Sequence, residues 1–172
     1  MNKNAIGESW KDVIGESWKD VKHEFLIEVE RGEIAKGSEK ASDVIRAKLI
    51  DAGGTATIHT LQGKVFNITI TADCKAFETK KLPQVNYGFE IFDVILDLLH
   101  ENGGEAQKGN GRNFKLGEGK CGLDTVVGAI GYRYAKKTIG ESVFDPVFVL
   151  AAILEWAKIC HNEHGFLKLW SY

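Results

Sequence analysis

The sequence predicts an α+β fold that is mainly helical, with about five helices, one β-hairpin and a short C-terminal strand. Apolar residues recur at three- and four-residue spacing along several segments, which is typical of helices with one buried face. One stretch alternates apolar and polar residues on both sides of the turn-like residues 61–64, which favours a hairpin. Hydrophobic residues make up 44% and charged residues 27% of the chain. Both fractions are typical of a globular protein.

The first predicted helix covers a duplicated octapeptide. The sequence IGESWKDV occupies residues 6–13 and recurs at 14–21. The apolar residues of both copies follow three- and four-residue steps, so we expect one helix from about Ala5 to Arg31.

A second helix and a hairpin are expected to complete an N-terminal half over residues 1–72. Ser38 is a suitable N-cap for a helix through about Ala52, and the glycine pair that follows is a suitable stop. The hairpin comes next, with its turn at 61–64. Helix, helix and hairpin is the element order of a small winged-helix unit.

The second half is expected over residues 87–172, after a connector at 73–86 that contains Pro83. Strong apolar patterning predicts a helix over 87–100, and a further helix is expected over 124–137. Pro146 in the first turn and Asp145 before it predict the start of a last helix, followed by a terminal strand. The chain is thus compatible with two winged-helix-like halves.

A basic, glycine-rich loop is the main candidate functional feature. Residues 103–122 contain seven glycines, and residues 105–137 contain seven basic and three acidic residues. Cations beside a helix N-terminus are suited to phosphate groups, and an aromatic ring among them is suited to a base. We therefore expect a non-enzymatic protein that binds DNA or RNA, through the residues Lys108, Arg112, Phe114, Lys115, Lys120, Arg133, Lys136 and Lys137.

The stretch GEGKCG at 117–122 fits the spacing of a dinucleotide-binding loop, but its context does not. That loop requires a buried strand before it and an acidic residue on a second strand about 20 residues later. Neither is evident here. A P-loop requires Ser or Thr after its lysine, and Cys121 follows Lys120. We expect no nucleotide cofactor.

The acidic side of the first predicted helix suggests an alternative function. Carboxylates recur there at every fourth residue and would form a ridge with a spacing of about 6 Å, near that of nucleic-acid phosphates. A protein with such a ridge could act as an inhibitor or adaptor that occupies the basic groove of a nucleic-acid-handling protein such as a nuclease. The residues of this ridge are Glu8, Asp12, Glu16, Asp20, Glu24 and Glu28.

A metal-dependent nuclease is the third hypothesis. Asp73, Glu78 and Lys80 have the order of a site in which two acids hold a divalent ion and a lysine assists the attacking water. The separation is short for two neighbouring strands, so we assign no catalytic residue and no metal. Cys160, His161 and His164 lack a fourth ligand for zinc, and a role at a helix end is the better interpretation.

The spacing of the cysteines and the length of the apolar runs indicate the cellular compartment of the protein. The three cysteines are widely separated and form no C-x-x-C pair, so we expect neither disulfides nor a zinc ribbon. The longest apolar run, at 147–154, is far shorter than the roughly 20 residues that cross a bilayer. These features predict a cytoplasmic protein without a membrane partner.

Overall fold

The computed structural model describes residues 40–83 and 86–170, which divide into two compact units. The first unit contains residues 40–58, 65–83 and 86–89, and the second contains residues 59–64 and 90–170. The predicted N-terminal helix and its acidic ridge from Glu8 to Glu28 lie outside the described residues.

The first unit combines one described helix with a four-stranded sheet. The strands lie in the order β1, β2, β3, β4, and β3 is antiparallel to both of its neighbours. Helix α1 packs against β2. The elements are α1 (Ala41–Asp51), β1 (Thr55–His59), β2 (Val65–Ile70), β3 (Ala76–Glu78) and β4 (Tyr87–Gly88).

The core of this unit is aromatic and aliphatic. Every second residue of β2 is buried, beginning with Phe66, as expected for a strand with one covered face. The fully buried ring of Phe77 lies 6.0 Å from the ring of Tyr87 and 5.8 Å from that of Phe89. The guanidinium of Arg46 lies 5.3 Å from the Phe89 ring centre, a cation–π distance.

The second unit contains three α-helices and a three-stranded antiparallel sheet in the order β5, β7, β6. Helix α2 packs against α3, β5 and β7, and α4 packs against β6. The elements are α2 (Glu90–Glu101), β5 (Glu105–Gln107), α3 (Val126–Ala129), a π-helical turn (Ile130–Tyr134), α4 (Val147–Trp156), β6 (Cys160–Asn162) and β7 (Phe166–Leu169).

The two long helices of this unit supply half of its buried apolar residues. Seven of the ten residues of α4 are buried. Helix α2 buries a stripe at three- and four-residue spacing, which consists of Ile91, Phe92, Ile95, Leu98 and Leu99. No helix among the described residues is long and apolar enough to cross a membrane.

The predicted fold class is wrong. The described residues form seven strands in two antiparallel sheets beside four α-helices, rather than a mainly helical chain with one hairpin and a terminal strand. A winged-helix-like first half does not fit a unit whose sheet has four strands. The expected connector at 73–86 contains β3, which pairs on both sides.

Most of these strands could not be predicted from the sequence because they are very short. Strands β3 to β6 are two or three residues long, too short for an apolar alternation to be visible. The helix expected over 124–137 is also broken, into the four residues of α3 and the π-helical turn. The chain after α4 then forms β6, so Cys160 and His161 lie in a strand rather than at a helix end.

Candidate nucleic-acid interface

The glycine-rich loop between β5 and α3 is closely packed against its own backbone. A Cβ atom added to Gly109 would lie 2.6 Å from the carbonyl oxygen of Lys120, and one added to Gly128 would lie 1.9 Å from that of Gly122. The Asn110 amide donates to the Lys120 carbonyl at 2.7 Å. These glycines allow backbone segments to approach more closely than any side chain would permit.

Three of the first four amide groups of α3, those of Val127, Gly128 and Ala129, are bonded within the protein. The Thr125 hydroxyl accepts from the Gly128 amide at 3.1 Å and donates to the Gly122 carbonyl at 2.7 Å. The Val127 amide donates to the Lys108 carbonyl at 3.0 Å, and the Ala129 amide donates to the Thr125 carbonyl at 2.8 Å. A phosphate would therefore have to replace existing hydrogen bonds to reach this helix end.

Lys108 is held by the turn between β6 and β7. Its ammonium donates to the Asn162 side-chain oxygen at 2.5 Å and to the Glu163 carbonyl at 2.6 Å. Burial lowers the pKa of Lys108, while the charges of Glu155 and Glu163 oppose that effect. Asn162 is itself buried. Lys108 thus links the loop to the sheet instead of pointing freely into solvent.

Two further predicted cations are paired with carboxylates. Arg133 donates two hydrogen bonds to Glu101, at 2.9 and 2.6 Å, which is a bidentate pair. This hydrogen bonding lowers the pKa of Glu101 and raises that of Arg133. Lys137 lies 3.8 Å from Glu141, and both side chains are exposed, so this contact is weak.

Four predicted cations remain unpaired. Arg112, Lys115, Lys120 and Lys136 are exposed, and their charged groups have no hydrogen bond or ion pair within the described residues. The backbone that carries them is ordered locally. The Asn110 side chain accepts from the Arg112 amide at 3.1 Å, for example.

Phe114 lies between these cations in a defined position. Its ring is half-buried against the backbone of Gly119, where an added Cβ atom would lie 2.6 Å from two ring carbons. Gly119 also has a φ of +45°, a conformation that other residues rarely adopt. Lys115 follows Phe114 in the sequence, and Lys120 follows Gly119, so two of the cations adjoin this contact.

Exposed apolar side chains near the loop were not predicted. Ile139 is 62% exposed and lies over Gly117, while Phe144 and Phe148 are 53% and 46% exposed. Phe148 lies between Val147 and Val149, and Phe144 follows Val143, so no local pattern marks these two rings as surface residues. Thr125 was missed as well, although a Thr immediately before an apolar helical run is a recognisable N-cap signal.

The residues of the nuclease hypothesis are separated in the first unit. Asp73 lies in the turn between β2 and β3, where its carboxylate accepts from the Thr71 hydroxyl at 2.6 Å and the Lys75 amide at 3.1 Å. These bonds lower its pKa, with the Thr71 bond contributing most. Glu78 and Lys80 instead line a cavity of about 720 Å³, of which Asp73 is not part.

Metal-binding clusters are not found in the described part of the chain. No three His, Cys, Asp or Glu side chains there are placed to hold an ion together. The His161 ring stacks on Trp170 at 4.0 Å. Cys160 is fully buried, and this burial raises the pKa of its thiol to about 12. Cys74 and Cys121 are also free and buried.

No known protein family, curated protein or solved structure matches this chain. The functional evidence therefore consists of the geometry and charge of its own residues.

Proposed function

We propose that this chain is a non-enzymatic protein that binds DNA or RNA through Arg112, Lys115, Lys120 and Lys136. The observation that carries the proposal is a set of four exposed cations without a partner among the described residues, three of them on one closely packed loop and the fourth, Lys136, after the π-helical turn that follows it. Such cations contact phosphates and release the counterions condensed on the nucleic acid, which favours association.

The packing of the loop supports this function energetically. A mobile loop must lose conformational entropy when it binds, and that loss weakens association. Here the glycine contacts and the Asn110–Lys120 hydrogen bond already fix the backbone. Only the cationic side chains need to become ordered on binding.

The remaining predicted cations have a structural role and do not contact phosphates. Lys108 and Arg133 contact protein groups at hydrogen-bonding distance, and Lys137 faces Glu141. These residues support the loop and the helix that follows it. The phosphate contacts come from side chains, because the Val127, Gly128 and Ala129 amides near the start of α3 already have acceptors within the protein.

The first test is charge removal measured by fluorescence anisotropy on a labelled duplex of about 20 base pairs at fixed low salt. We expect the triple variant Arg112→Ala, Lys115→Ala, Lys120→Ala to bind at least about tenfold more weakly than the unchanged protein, because three phosphate contacts are lost.

A matched control removes three lysines that are also exposed but are not part of the loop sequence, namely Lys64, Lys75 and Lys80. We expect the control variant Lys64→Ala, Lys75→Ala, Lys80→Ala to keep its affinity within about twofold of the unchanged protein. An equal loss in both triple variants would mean that binding depends on overall charge and not on the loop.

A further inference from the structure

The aromatic ring of Phe114 is only partly buried. One part of the ring packs on Gly119, and the side chain as a whole remains half-buried rather than enclosed in the core. A methyl group at position 119 would overlap the ring, so the absence of a side chain there makes the contact possible. The loop backbone thus forms a support for an aromatic ring.

The contact between Phe114 and Gly119 lies within a series of tight turns that also carries two lysines without a partner among residues 40–83 and 86–170. The Glu118 amide donates to the Lys115 carbonyl at 2.9 Å, and the Cys121 amide donates to the Glu118 carbonyl at 2.8 Å. Lys115 follows Phe114 in the chain, and Lys120 follows Gly119. A supported ring and two ammonium groups that have no partner in the described part of the chain therefore lie on one short segment, residues 114–120.

We propose that this segment makes the chain a single-strand binder, with a nucleobase stacked on Phe114 and the adjoining phosphates on Lys115 and Lys120. The inference rests on the proposed function and specifies its ligand. In a duplex the base faces are covered by their neighbours, so the ring could contribute little. In a single strand every base offers a face for stacking, whatever its sequence.

The positive charge of Lys115 and Lys120 favours a nucleic-acid strand over an apolar protein surface as the bound partner. An apolar partner would leave the ammonium groups of Lys115 and Lys120 near its interface without counter-charges, which is costly. A nucleic-acid strand supplies a phosphate for each cation and a base for the ring. Glu118 is also exposed on the same segment.

The test compares the affinities for an oligo-dT strand of about 15 nucleotides and for a duplex of the same length. We expect Phe114→Ala and Phe114→Leu to weaken single-strand binding by about tenfold, a value within the range for loss of one stacked base. Duplex affinity should stay within about twofold. Phe114→Tyr keeps the aromatic face and should restore single-strand affinity to within about threefold of the unchanged protein.

The Phe114 variants also distinguish the loss of base stacking from the loss of side-chain packing against Gly119. The aliphatic side chain introduced by Phe114→Leu would still cover Gly119, so a folded Phe114→Leu protein with unchanged single-strand affinity would overturn the proposal. Equal losses on strand and duplex would also overturn it. Phe144→Ala removes an exposed ring outside this segment and should change neither affinity.

Two further outcomes have distinct meanings. If the unchanged protein binds the duplex in a loop-dependent manner but shows no preference for the single strand, the proposed function stands and the stacking inference fails. If it binds neither nucleic acid, both fail. Self-association that is lost in Phe114→Ala, with single-strand affinity unchanged, would assign the ring to a protein contact and contradict the proposal.

Discussion

The cations of the loop differ in whether their charged groups are already hydrogen-bonded to other protein groups. Lys108 and Lys115 are the same residue type, seven positions apart. Lys108 donates to Asn162 and to the Glu163 carbonyl, whereas the Lys115 ammonium has no partner within the described residues. Only the second kind of lysine can bind a phosphate without first breaking a hydrogen bond to protein.

Thr125 is the residue on which the geometry of the loop end depends. Its hydroxyl joins the Gly122 carbonyl to the Gly128 amide, and the residue is buried. We expect Thr125→Val to lower the free energy of unfolding by about 1–2 kcal/mol, because it removes a helix cap and deprives the buried Gly128 amide of its acceptor.

The measurement is urea unfolding of the unchanged protein and the variant. Thr125→Ser keeps the hydroxyl and should lose less than half as much stability as Thr125→Val. A Thr125→Val protein as stable as the unchanged one would show that the hydroxyl does not fix the loop end.

At the scale of elements, α3 is positioned by the contact between Gly128 and Gly122. Intrinsic helix propensity alone would make Gly128→Ala stabilising by up to about 1 kcal/mol. The added Cβ atom would however lie 1.9 Å from a backbone oxygen, which cannot rotate away. We therefore expect the opposite sign, with a destabilisation of about 3 kcal/mol or more.

Gly140→Ala provides the comparison in the same unfolding measurement. Gly140 has a φ of +92° and no atom within 4 Å of an added Cβ, so only backbone strain is expected, about 1–2 kcal/mol. A Gly128→Ala variant that is more stable than the unchanged protein would exclude the close approach described for α3.

The elements that could be predicted from the sequence are those with local signals. Helix α2 has an apolar stripe and a glycine stop, and α4 has an apolar body after Pro146. Strand β5 has neither kind of signal, since its three residues gain their structure by pairing with β7 about 60 positions later. Local periodicity carries no information on such distant partners.

The candidate site, like the elements of the fold, could be predicted from the sequence only in part. Charge counting identifies Arg112 and Arg133 as equivalent members of a basic region. Their difference depends on Glu101, which lies 32 positions before Arg133 in the chain and pairs with it. Residue type therefore predicts the charge of the region, and tertiary contacts determine which charges remain available.

At the scale of the whole molecule, the net charge of −2 gives no general attraction for nucleic acid. Any affinity must arise locally, in a region where cations exceed acids and remain unpaired. The second unit contains such a region around its glycine-rich loop, which is why the proposal places binding there and not across the surface.

The most direct test of this account is the salt dependence of binding to a short duplex. With four phosphate contacts, the slope of log Kobs against log salt concentration should be about −3 to −4. The triple variant Arg112→Ala, Lys115→Ala, Lys120→Ala should reduce the magnitude of the slope by about two to three. A slope that is the same in the variant, or the absence at low salt of detectable binding to both this duplex and a single strand, would contradict the claim that this loop contacts phosphates.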